Sequence, residues 1–381
     1  KIEVMMRLCF VLFVCALLIC PAMVAGQGKD REIKVTWDKE SPVKKIVSPT
    51  KGKVKNVVFM IGDGMSLMTM YSTWAANRGK LNIENCRCVG LAKTYCYDRL
   101  ITDSGASGTA LATGHKTRYH SVGVDPDGKP LTTLTDLAAA KNKSTGVVVT
   151  CRLNDATPAA FCAHNSDREQ AEAIIADYVG CGVDFIFGGG KRYFCEREDG
   201  RDIMEEMRAL GYRTPENKEQ LDAIESGKVL AVWADHDLPR PAERGEMLTE
   251  GTLKALELLS RNKKGFFLMV EASQIDDYGH SNQLRPLVEE VLDFDRTIGK
   301  VFEWAAADGN TLVVVTADHE TGGLTLVGGD LERGEIVGKF STGSHSGVMV
   351  PVYAFGPGAE AFTGIYENTD IFEKIKSLLK L

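Results

Sequence analysis

Two serines lie in a run of small residues that could hold a nucleophile. The segment ITDSGASGTALATGHKT, residues 101–117, places Ser104 directly after an aspartate and Ser107 three positions later. Small side chains let another group approach the backbone closely, so this segment suits a reacting group. No histidine adjoins either serine, and the G-x-S-x-G motif of serine hydrolases is absent around both. A nucleophile here therefore needs an activator from elsewhere in the chain.

Acidic residues follow four of the predicted strands and could bind metal ions. A single aspartate after a strand is ordinarily a turn former or a helix cap. The carboxyl ends of parallel strands, however, meet at one edge of a sheet, where ligands bind. Four such strand ends favour a shared site over four unrelated turns. The residues are Asp63, Asp155, Glu271 and the pair Asp318-His319.

Histidines near these acids indicate the kind of metal. Asp276 and His280 lie four positions apart in QIDDYGH, so one helical turn can direct both at one ligand, and His345 precedes the last predicted strand. Aspartate and histidine together suit Zn²⁺. Glu271 and Asp63 with a hydroxyl form an oxygen-only set that suits Mg²⁺. The pattern therefore predicts two zinc ions and one magnesium ion.

Several other candidate ligands favour ordinary structural roles. The triplet at residues 235–237, Asp-His-Asp, follows a strand-like segment and precedes LPRP, so we expect a solvated turn. We expect His164 on a helix near the site without ligating a metal, and His115 and His120 behind the site or at the surface. The methionine-rich residues 64–70 favour helix core over a soft-metal site.

The elements that must position these residues form a predicted α/β fold. Continuous apolar runs indicate strands buried on both faces, as in a parallel sheet covered by helices. We expect a single doubly wound domain over residues 56–381, with a mostly parallel central sheet and helices on both faces. We expect a loosely held N-terminal arm over residues 26–55 and a charged surface excursion over residues 195–245. The predicted strands are residues 57–61, 146–150, 183–187, 266–271, 311–316 and 350–355, and the predicted helices are residues 168–179, 249–260 and 286–306.

Composition excludes some function classes. The 381 residues are 44% hydrophobic and 25% charged, which is typical of a soluble globular protein. The net charge is −7, and the sequence contains no basic cluster with interleaved aromatics, which argues against nucleic-acid recognition.

The first residues resemble a targeting signal. A short positive segment precedes the apolar run of residues 8–20 and a small-residue zone near Ala25, as in a cleavable signal peptide over residues 1–25. The run is too short for a typical membrane span, so we expect a periplasmic or secreted protein with no stable span after cleavage. Seven of the ten cysteines lie beyond this segment, and Cys181 with Cys195 is a candidate disulfide.

Five motifs in order relate the chain to a known family. They are IGDGM at residues 61–65, TDSGASGTA at 102–110, NDATPAAFCAH at 154–164, EASQIDDYGH at 271–280 and TADHETGG at 316–323. Together they resemble the alkaline phosphatases, from about residue 56 to residue 379. The resemblance implies that Ser104, after Asp103, is the serine that becomes phosphorylated, and that Ser107 is a structural hydroxyl.

The resemblance also implies a role for each remaining site residue. Arg168 grips two phosphate oxygens, with Asp103 orienting it. The implied metal ligands are Asp63, Asp318 and His319 for the zinc near the nucleophile, Asp276, His280 and His345 for the second zinc, and Asp63, Thr157 and Glu271 for the magnesium, with Asp155 acting through a metal-bound water. The implied reaction converts small-molecule phosphate monoesters to alcohol and phosphate through a phosphoserine.

The chain departs from the family pattern in two places. Asp277 follows Asp276 where many relatives carry Lys, His or Trp, which predicts weaker phosphate retention. Only 25 residues separate His319 from His345, which leaves room for a hairpin but not for the larger crown insertion that helps to build the family's homodimer. The alternative functions are a phosphodiesterase or sulfatase of the same superfamily, and an exported phosphate- or metal-binding protein whose catalysis has lapsed.

Overall fold

A ten-stranded sheet runs through the centre of the protein. The computed structural model describes residues 31–381. The strands in chain order are β1 (Ile33–Thr36), β2 (Asn56–Gly62), β3 (Cys88–Lys93), β4 (Ser144–Arg152), β5 (Phe185–Gly189), β6 (Tyr212–Arg213), β7 (Lys228–Val232), β8 (Phe266–Ala272), β9 (Thr311–Thr316), β10 (Glu320–Thr321), β11 (Leu324–Asp330), β12 (Glu335–Phe340), β13 (His345–Ser346), β14 (Val350–Phe355) and β15 (Gly364–Glu367). The order across the central sheet is β15-β3-β14-β9-β2-β8-β4-β5-β7-β6.

The central strands β9, β2, β8 and β4 pair in parallel and are almost entirely buried. Their continuous runs of Val, Ile, Phe and Leu suit strands covered on both faces. Only β14, between β9 and β3, runs antiparallel to its neighbours. All six predicted strands are present, two of them with identical bounds, so the mostly parallel sheet is confirmed.

Helices cover both faces of the sheet. One group includes the long helix Leu284–Asp308, which packs on the central strands beside the helix Met247–Leu259, and the other includes the helix that begins at Ser104. The helices are α1 (Leu67–Ala76), α2 (Ser104–Thr113), α3 (Leu134–Ala140), α4 (Ala156–Cys162), α5 (Ala171–Asp177), α6 (Lys191–Cys195), α7 (Ile203–Ala209), α8 (Lys218–Asp222), α9 (Pro241–Arg244), α10 (Met247–Leu259), α11 (Gln274–His280), α12 (Leu284–Asp308) and α13 (Asn368–Leu379). Short 3₁₀ helices occupy Asn82–Asn85 and Ala359–Phe362.

The three predicted helices correspond to α5, α10 and α12, with shifted ends. Helix α5 begins at Ala171 rather than at Arg168. The cause is local, because the Arg168 N–H donates to the carbonyl of His120, 2.8 Å away, instead of entering a helix. Arg168 lies in a turn before the helix, closed by the hydrogen bond from the Gln170 N–H to the carbonyl of Asp167. The methionine-rich segment is partly helical core, as expected, since Met65 and Met70 are buried.

The expectation of a surface excursion over residues 195–245 is wrong. This stretch contains β6 and β7, which extend the central sheet in parallel beyond β5. Residues 229–232 of β7 are buried, and Phe187 of β5 packs edge-on against Trp233. Most charged residues of the stretch lie in the flanking helices and loops, and the strand-like segment that precedes residues 235–237 is β7.

The described part of the predicted arm, residues 31–55, is attached rather than loosely held. Strand β1 pairs antiparallel with β12, and the backbone N–H groups of Ser41 and Ile46 donate to Asn77 and Asn85. The predicted signal peptide and residues 26–30 lie outside the described residues.

The segment between His319 and His345 is a hairpin, as its length predicts. Strands β11 and β12 pair antiparallel and form a small sheet with β1. The short ladder of β10 with β13 aligns Thr321 with His345, which brings the distant histidine back to the end of β9. A reduced crown therefore still delivers its histidine to the sheet edge.

The seven cysteines of the described residues are all free thiols. The candidate bridge from Cys181 to Cys195 is not formed: Cys195 is exposed at the end of α6, while Cys181 lies beside Cys162. Among the described residues, no helix combines the length and apolar character that a membrane crossing requires.

Candidate active site

The predicted acidic residues meet at the carboxyl edge of the central strands. Asp63 follows β2, Asp155 follows β4, Glu271 lies near the end of β8, and Asp318 follows β9. Because these four strands are neighbours in the sheet, their ends converge on one crevice. The sequence therefore predicted correctly that these acids lie at one edge of the sheet.

Ser104 lies in this crevice at the first turn of α2. Asp103 caps the helix, since its carboxylate accepts hydrogen bonds from the N–H groups of Gly105 and Ala106, each at 3.2 Å. The cap fixes Ser104 at the positive end of the helix dipole, where negative charge is stabilised. The Ser104 Oγ lies 3.2 Å from Nε2 of His319.

Ser107 is turned away from that crevice. Its hydroxyl donates to the backbone carbonyl of Asp318 at 2.7 Å and accepts from the side-chain amide of Asn368 at 3.1 Å. Both hydrogen bonds tie α2 to its neighbours. The structure thus places Ser104 among the candidate ligands and Ser107 in the packing behind them.

His319, Asp63 and Asp318 form the first cluster of candidate ligands. Nε2 of His319 lies 3.0 Å from Oδ2 of Asp318 and 3.6 Å from Oδ1 of Asp63. Both of these oxygens are buried without a hydrogen-bond partner among the described residues. Burial, and then the charges of Asp318 and Asp276, raise the pKa of Asp63 well above its ordinary value. Unpartnered buried carboxylate oxygens fit a cation.

Asp276, His280 and His345 form the second cluster. Nε2 of His280 lies 3.2 Å from Asp276 and 3.1 Å from Nε2 of His345. Each imidazole donates its Nδ1–H to a backbone carbonyl, His280 to Gly343 at 2.9 Å and His345 to Thr102 at 2.8 Å. Two Nε2 lone pairs therefore face each other beside a carboxylate, an arrangement typical of metal-binding histidines.

The two clusters are adjacent. The rings of His319 and His345 stack with centroids 3.6 Å apart. The carboxylate of Asp276 lies within reach of both clusters, because one of its oxygens also lies within 4.8 Å of ligand atoms of Asp63 and His319. Two cations held here would both lie next to the carboxylate of Asp276. The sequence assigned Asp276 to the second cluster alone.

Glu271, Thr157 and Asp63 form a third set made only of oxygen ligands. Glu271 and Thr157 are 1% exposed, and the Thr157 hydroxyl has no hydrogen-bond partner among the described residues. Burial, and then the charge of Asp155, raise the pKa of Glu271 to about 8. The donor set suits a hard divalent cation, as the sequence predicted.

Arg168 is held between two carboxylates at the mouth of the crevice. Its Nη1 donates to Asp103 at 3.1 Å and its Nη2 donates to Asp155 at 2.8 Å. Each terminal nitrogen keeps a second N–H, so the guanidinium can still donate two parallel hydrogen bonds to an anion. The predicted pairing of Arg168 with Asp103 is present, and the contact with Asp155 is additional.

The remaining histidines lie outside the two clusters, as the sequence predicted, but His164 lies beyond the end of α4 and not on a helix, which corrects that prediction. The ring of His164 donates to the carbonyl of Leu131, 2.9 Å away, and the ring of His120 stacks on Tyr119. His115 contacts the carbonyl of Thr113, and the exposed His236 contacts Arg192. None of these four belongs to a group of potential metal ligands among residues 31–381.

Sequence reasoning missed two residues that shape the site. The hydroxyl of Thr321 contacts Asp276 and lies 3.2 Å from Nδ1 of His319, so it can accept the Nδ1–H and direct the Nε2 lone pair of His319 towards Ser104. Thr321 belongs to the TADHETGG motif, which could have indicated it. Arg152, which contacts Asp155, carried no sequence signal.

Comparisons with known proteins agree with this geometry. A family model described as alkaline phosphatase matches residues 54–338. Alkaline phosphatase 4 of Bacillus subtilis is 33% identical over an alignment that covers 87% of this chain and 90% of the relative. The structure of alkaline phosphatase from the Antarctic bacterium TAB5 is 38% identical, with a TM-score of 0.83 over 86% of this chain and 99% of that one. A histidine-to-aspartate variant of the TAB5 enzyme, solved with Mg bound in its M3 site, is 37% identical with a TM-score of 0.81 over 88% of this chain and 99% of that one.

Proposed function

The chain belongs to the alkaline phosphatase family, and on that premise we propose that it hydrolyses phosphate monoesters through a phosphoserine at Ser104. The observation that carries the proposal is the position of the Ser104 hydroxyl. It stands at a helix N-terminus, 3.2 Å from His319 of the first cluster of candidate ligands, and the preceding residue, Asp103, binds Arg168. A nucleophile, a leaving-group site and an oxyanion clamp are the parts that phosphoryl transfer requires.

We propose two zinc ions and one magnesium ion as the resident metals. The three donor sets fit these ions because the first two combine carboxylates with imidazole nitrogens and the third offers only oxygens. The magnesium reported for the TAB5 variant supports a third site of this kind. When bound, the metals would lower the pKa of the serine hydroxyl and of the attacking water and would neutralise the leaving oxygen.

The chain's own residues supply the remaining steps. Ser104 attacks phosphorus, the P–O bond to the alcohol breaks, and the departing oxygen leaves on the side of Asp276, His280 and His345. Arg168 holds two phosphoryl oxygens throughout, because Asp103 and Asp155 fix its orientation without using all of its N–H groups. Water then attacks phosphorus and releases phosphate, which restores the Ser104 hydroxyl.

Steady-state hydrolysis of p-nitrophenyl phosphate at mildly alkaline pH tests the proposal. Turnover should require zinc and magnesium and should be lost on chelation. Ser104→Ala should reduce kcat by about a thousandfold or more, since it removes the nucleophile. Ser107→Ala is the matched control: it loses two hydrogen bonds behind the site and should retain kcat within about tenfold.

Ester selectivity separates the competing reactions. The same preparations should be assayed with a phosphodiester and with a sulfate ester, and the monoester should be preferred. Metal-loaded protein that turns over the diester or the sulfate ester faster would make the protein a phosphodiesterase or a sulfatase instead. Absence of turnover with all three esters would leave a binding protein.

We also propose export to the periplasm or the medium, on the pattern of residues 1–25. Fractionation of producing cells should recover activity outside the cytoplasm, with a mature N-terminus near Ala25 or Gly26. Active cytoplasmic protein that keeps these residues would contradict export. A homodimer stays a prediction that light scattering in solution would test.

A further inference from the structure

Arg152 links the site to a loop that the reaction does not otherwise involve. It is the last residue of β4, and its side chain is 35% exposed. Its Nη2 lies 3.2 Å from Oδ2 of Asp155, and its Nη1 lies 3.3 Å from Asp237. The backbone N–H of Arg152 also donates to Asp237 at 2.8 Å. Asp237 therefore holds this arginine through both its backbone and its side chain.

Asp155 is shared between two guanidinium groups. Its Oδ2 faces Arg152, whereas its Oδ1 accepts from Nη2 of Arg168 at 2.8 Å. The carboxylate cannot rotate without losing one of these contacts. Because Asp155 also caps α4 by accepting from the N–H of Ala156 at 2.7 Å, its backbone is fixed as well. Arg152 therefore helps to fix the orientation of Arg168 through their shared partner, Asp155.

The contacts form one row of alternating charges. It runs from Asp237 through Arg152, Asp155 and Arg168 to Asp103, the cap of the nucleophile helix. A row of this kind differs from isolated surface ion pairs, which contribute little, because each of its three inner members pairs with two partners. The row starts in the loop of residues 235–237, which the sequence assigns to an ordinary turn.

We propose that Arg152, anchored by Asp237, is a positioning residue that acts through Asp155 to hold Arg168 ready for the phosphate. This inference rests on the proposed phosphatase function. Without Arg152, the carboxylate of Asp155 is free to rotate away from Arg168. Arg168 would then bind phosphate with one fixed partner instead of two, so affinity for phosphate and for the monoester falls while the serine and the metal ligands stay in place.

A double-mutant cycle tests this route. The variants are R152M, D155A and the combination, and the readouts are KM, kcat and the inhibition constant for phosphate in metal-saturated protein. R152M should raise KM and the phosphate inhibition constant by about tenfold each and should change kcat by less than about threefold. In the D155A background, R152M should add nothing, because its route to Arg168 is already removed.

Two further variants separate positioning from charge and from general damage. R152K keeps the charge but not the forked geometry, so it should recover only part of the lost affinity. R201M removes an exposed arginine that pairs with Glu206 and should behave as wild type. Phosphate binding by calorimetry and metal content by mass spectrometry should accompany the kinetics, and both should show intact metal binding in R152M.

Several results would overturn the inference. They are an unchanged phosphate inhibition constant in R152M, full recovery in R152K, additive effects of R152M and D155A, or loss of metal with unchanged KM. If R152M does not fold, R152K and its combination with D155A decide the question. If wild type does not hydrolyse monoesters, the proposed function fails, while the calorimetric comparison of phosphate binding still tests Arg152.

Discussion

The side chain of Asp277 adds a negative charge beside the candidate ligand Asp276. It follows the candidate ligand Asp276 on α11 and is exposed to solvent. The protein surrounding its carboxylate, and then the charges of Asp276, Asp237 and Asp155, nevertheless raise its pKa to about 7, while Arg152 opposes this shift. A product that carries two negative charges meets this group as it leaves. We therefore expect Asp277 to weaken phosphate retention.

Asp277→Lys should lower the phosphate inhibition constant by about three- to tenfold, because it replaces a repulsive charge by an attractive one at a partly screened position. Asp277→Asn should give an intermediate value. The measurement is competitive inhibition of p-nitrophenyl phosphate hydrolysis at low salt. Asp222→Lys makes the same charge change on α8, at the far end of the sheet, and serves as the control. Equal inhibition constants in wild type and Asp277→Lys would refute the expectation.

Residue types indicated the candidate ligands, but the sequence did not show which side chains contact one another. The acids after the strands and the histidine-bearing motifs pointed to the crevice where these side chains meet, because the ends of parallel strands converge. Thr321 and Arg152 act only through side-chain geometry between segments far apart in the chain. No spacing rule predicts which carboxylate oxygen faces which guanidinium. The difference between Ser104 and Ser107 likewise depends on the direction in which each points from α2.

At the scale of elements, the long helix α12 holds a buried acid that makes stability depend on pH. Asp295 is 2% exposed and accepts hydrogen bonds from the backbone N–H groups of Asn82 and Ile83, at 2.8 and 2.9 Å. These contacts fasten the 3₁₀ helix Asn82–Asn85 to α12. Burial raises the pKa of Asp295 to about 6, although the hydrogen bonds oppose the shift.

The raised pKa fixes the sign of the effect. Between about pH 4 and pH 6 the folded protein binds more protons at Asp295 than the unfolded chain, so this residue's contribution to stability falls as the pH rises through that window. Asp295→Asn removes the titration. The difference in free energy of unfolding, variant minus wild type, should therefore be about 1 kcal/mol higher at pH 8 than at pH 5, which means that the variant is relatively more stable at pH 8.

Urea denaturation of both proteins at the two pH values measures this difference. The comparison between variant and wild type at each pH cancels changes in metal binding that both proteins share. Asp127→Asn, an exposed position, provides the control and should show no such difference. A pH-independent difference for Asp295→Asn would mean that the carboxyl titrates alike in the folded and unfolded states.

The strands were predicted correctly where nearly every residue is buried, and prediction failed where only a few residues are buried. The strands β2, β4, β8 and β9 have continuous apolar runs because helices cover both faces. Strand β3 was not predicted, and only two of its six residues are buried. The segment of β7 was recognised as strand-like, but its position beside β5 was not predicted. Both positions depend on neighbours in the sheet, which sequence periodicity does not contain.

At the scale of the whole molecule, folding concentrates negative charge in one crevice. The ends of four parallel strands and the start of α11 bring five carboxylates together. Besides burial, the charges of four of them raise the pKa of the fifth, Asp63, and these four are Asp318, Asp276, Glu271 and Asp155. Such a cluster of buried carboxylates opposes folding unless cations compensate it. The fold and the proposed metals are therefore coupled, since ions that bind only the folded state stabilise it.

Metal removal should consequently destabilise the whole protein. Chelation at pH 8 should lower the unfolding temperature by several degrees, since each ion at about a hundredfold over its dissociation constant contributes about 2.7 kcal/mol.

In Asp63→Asn, the difference in unfolding temperature between metal-loaded and chelated protein should be smaller than in wild type, for two reasons. The substitution removes a ligand shared by two proposed sites, which destabilises the loaded form, and it removes one buried carboxylate from the cluster, which stabilises the chelated form. Differential scanning calorimetry of wild type, Asp63→Asn and the exposed control Asp127→Asn, each with zinc and magnesium or with chelator, measures both shifts. If Asp63→Asn shows the same difference in unfolding temperature as wild type, this carboxylate neither binds the metals nor opposes folding in their absence.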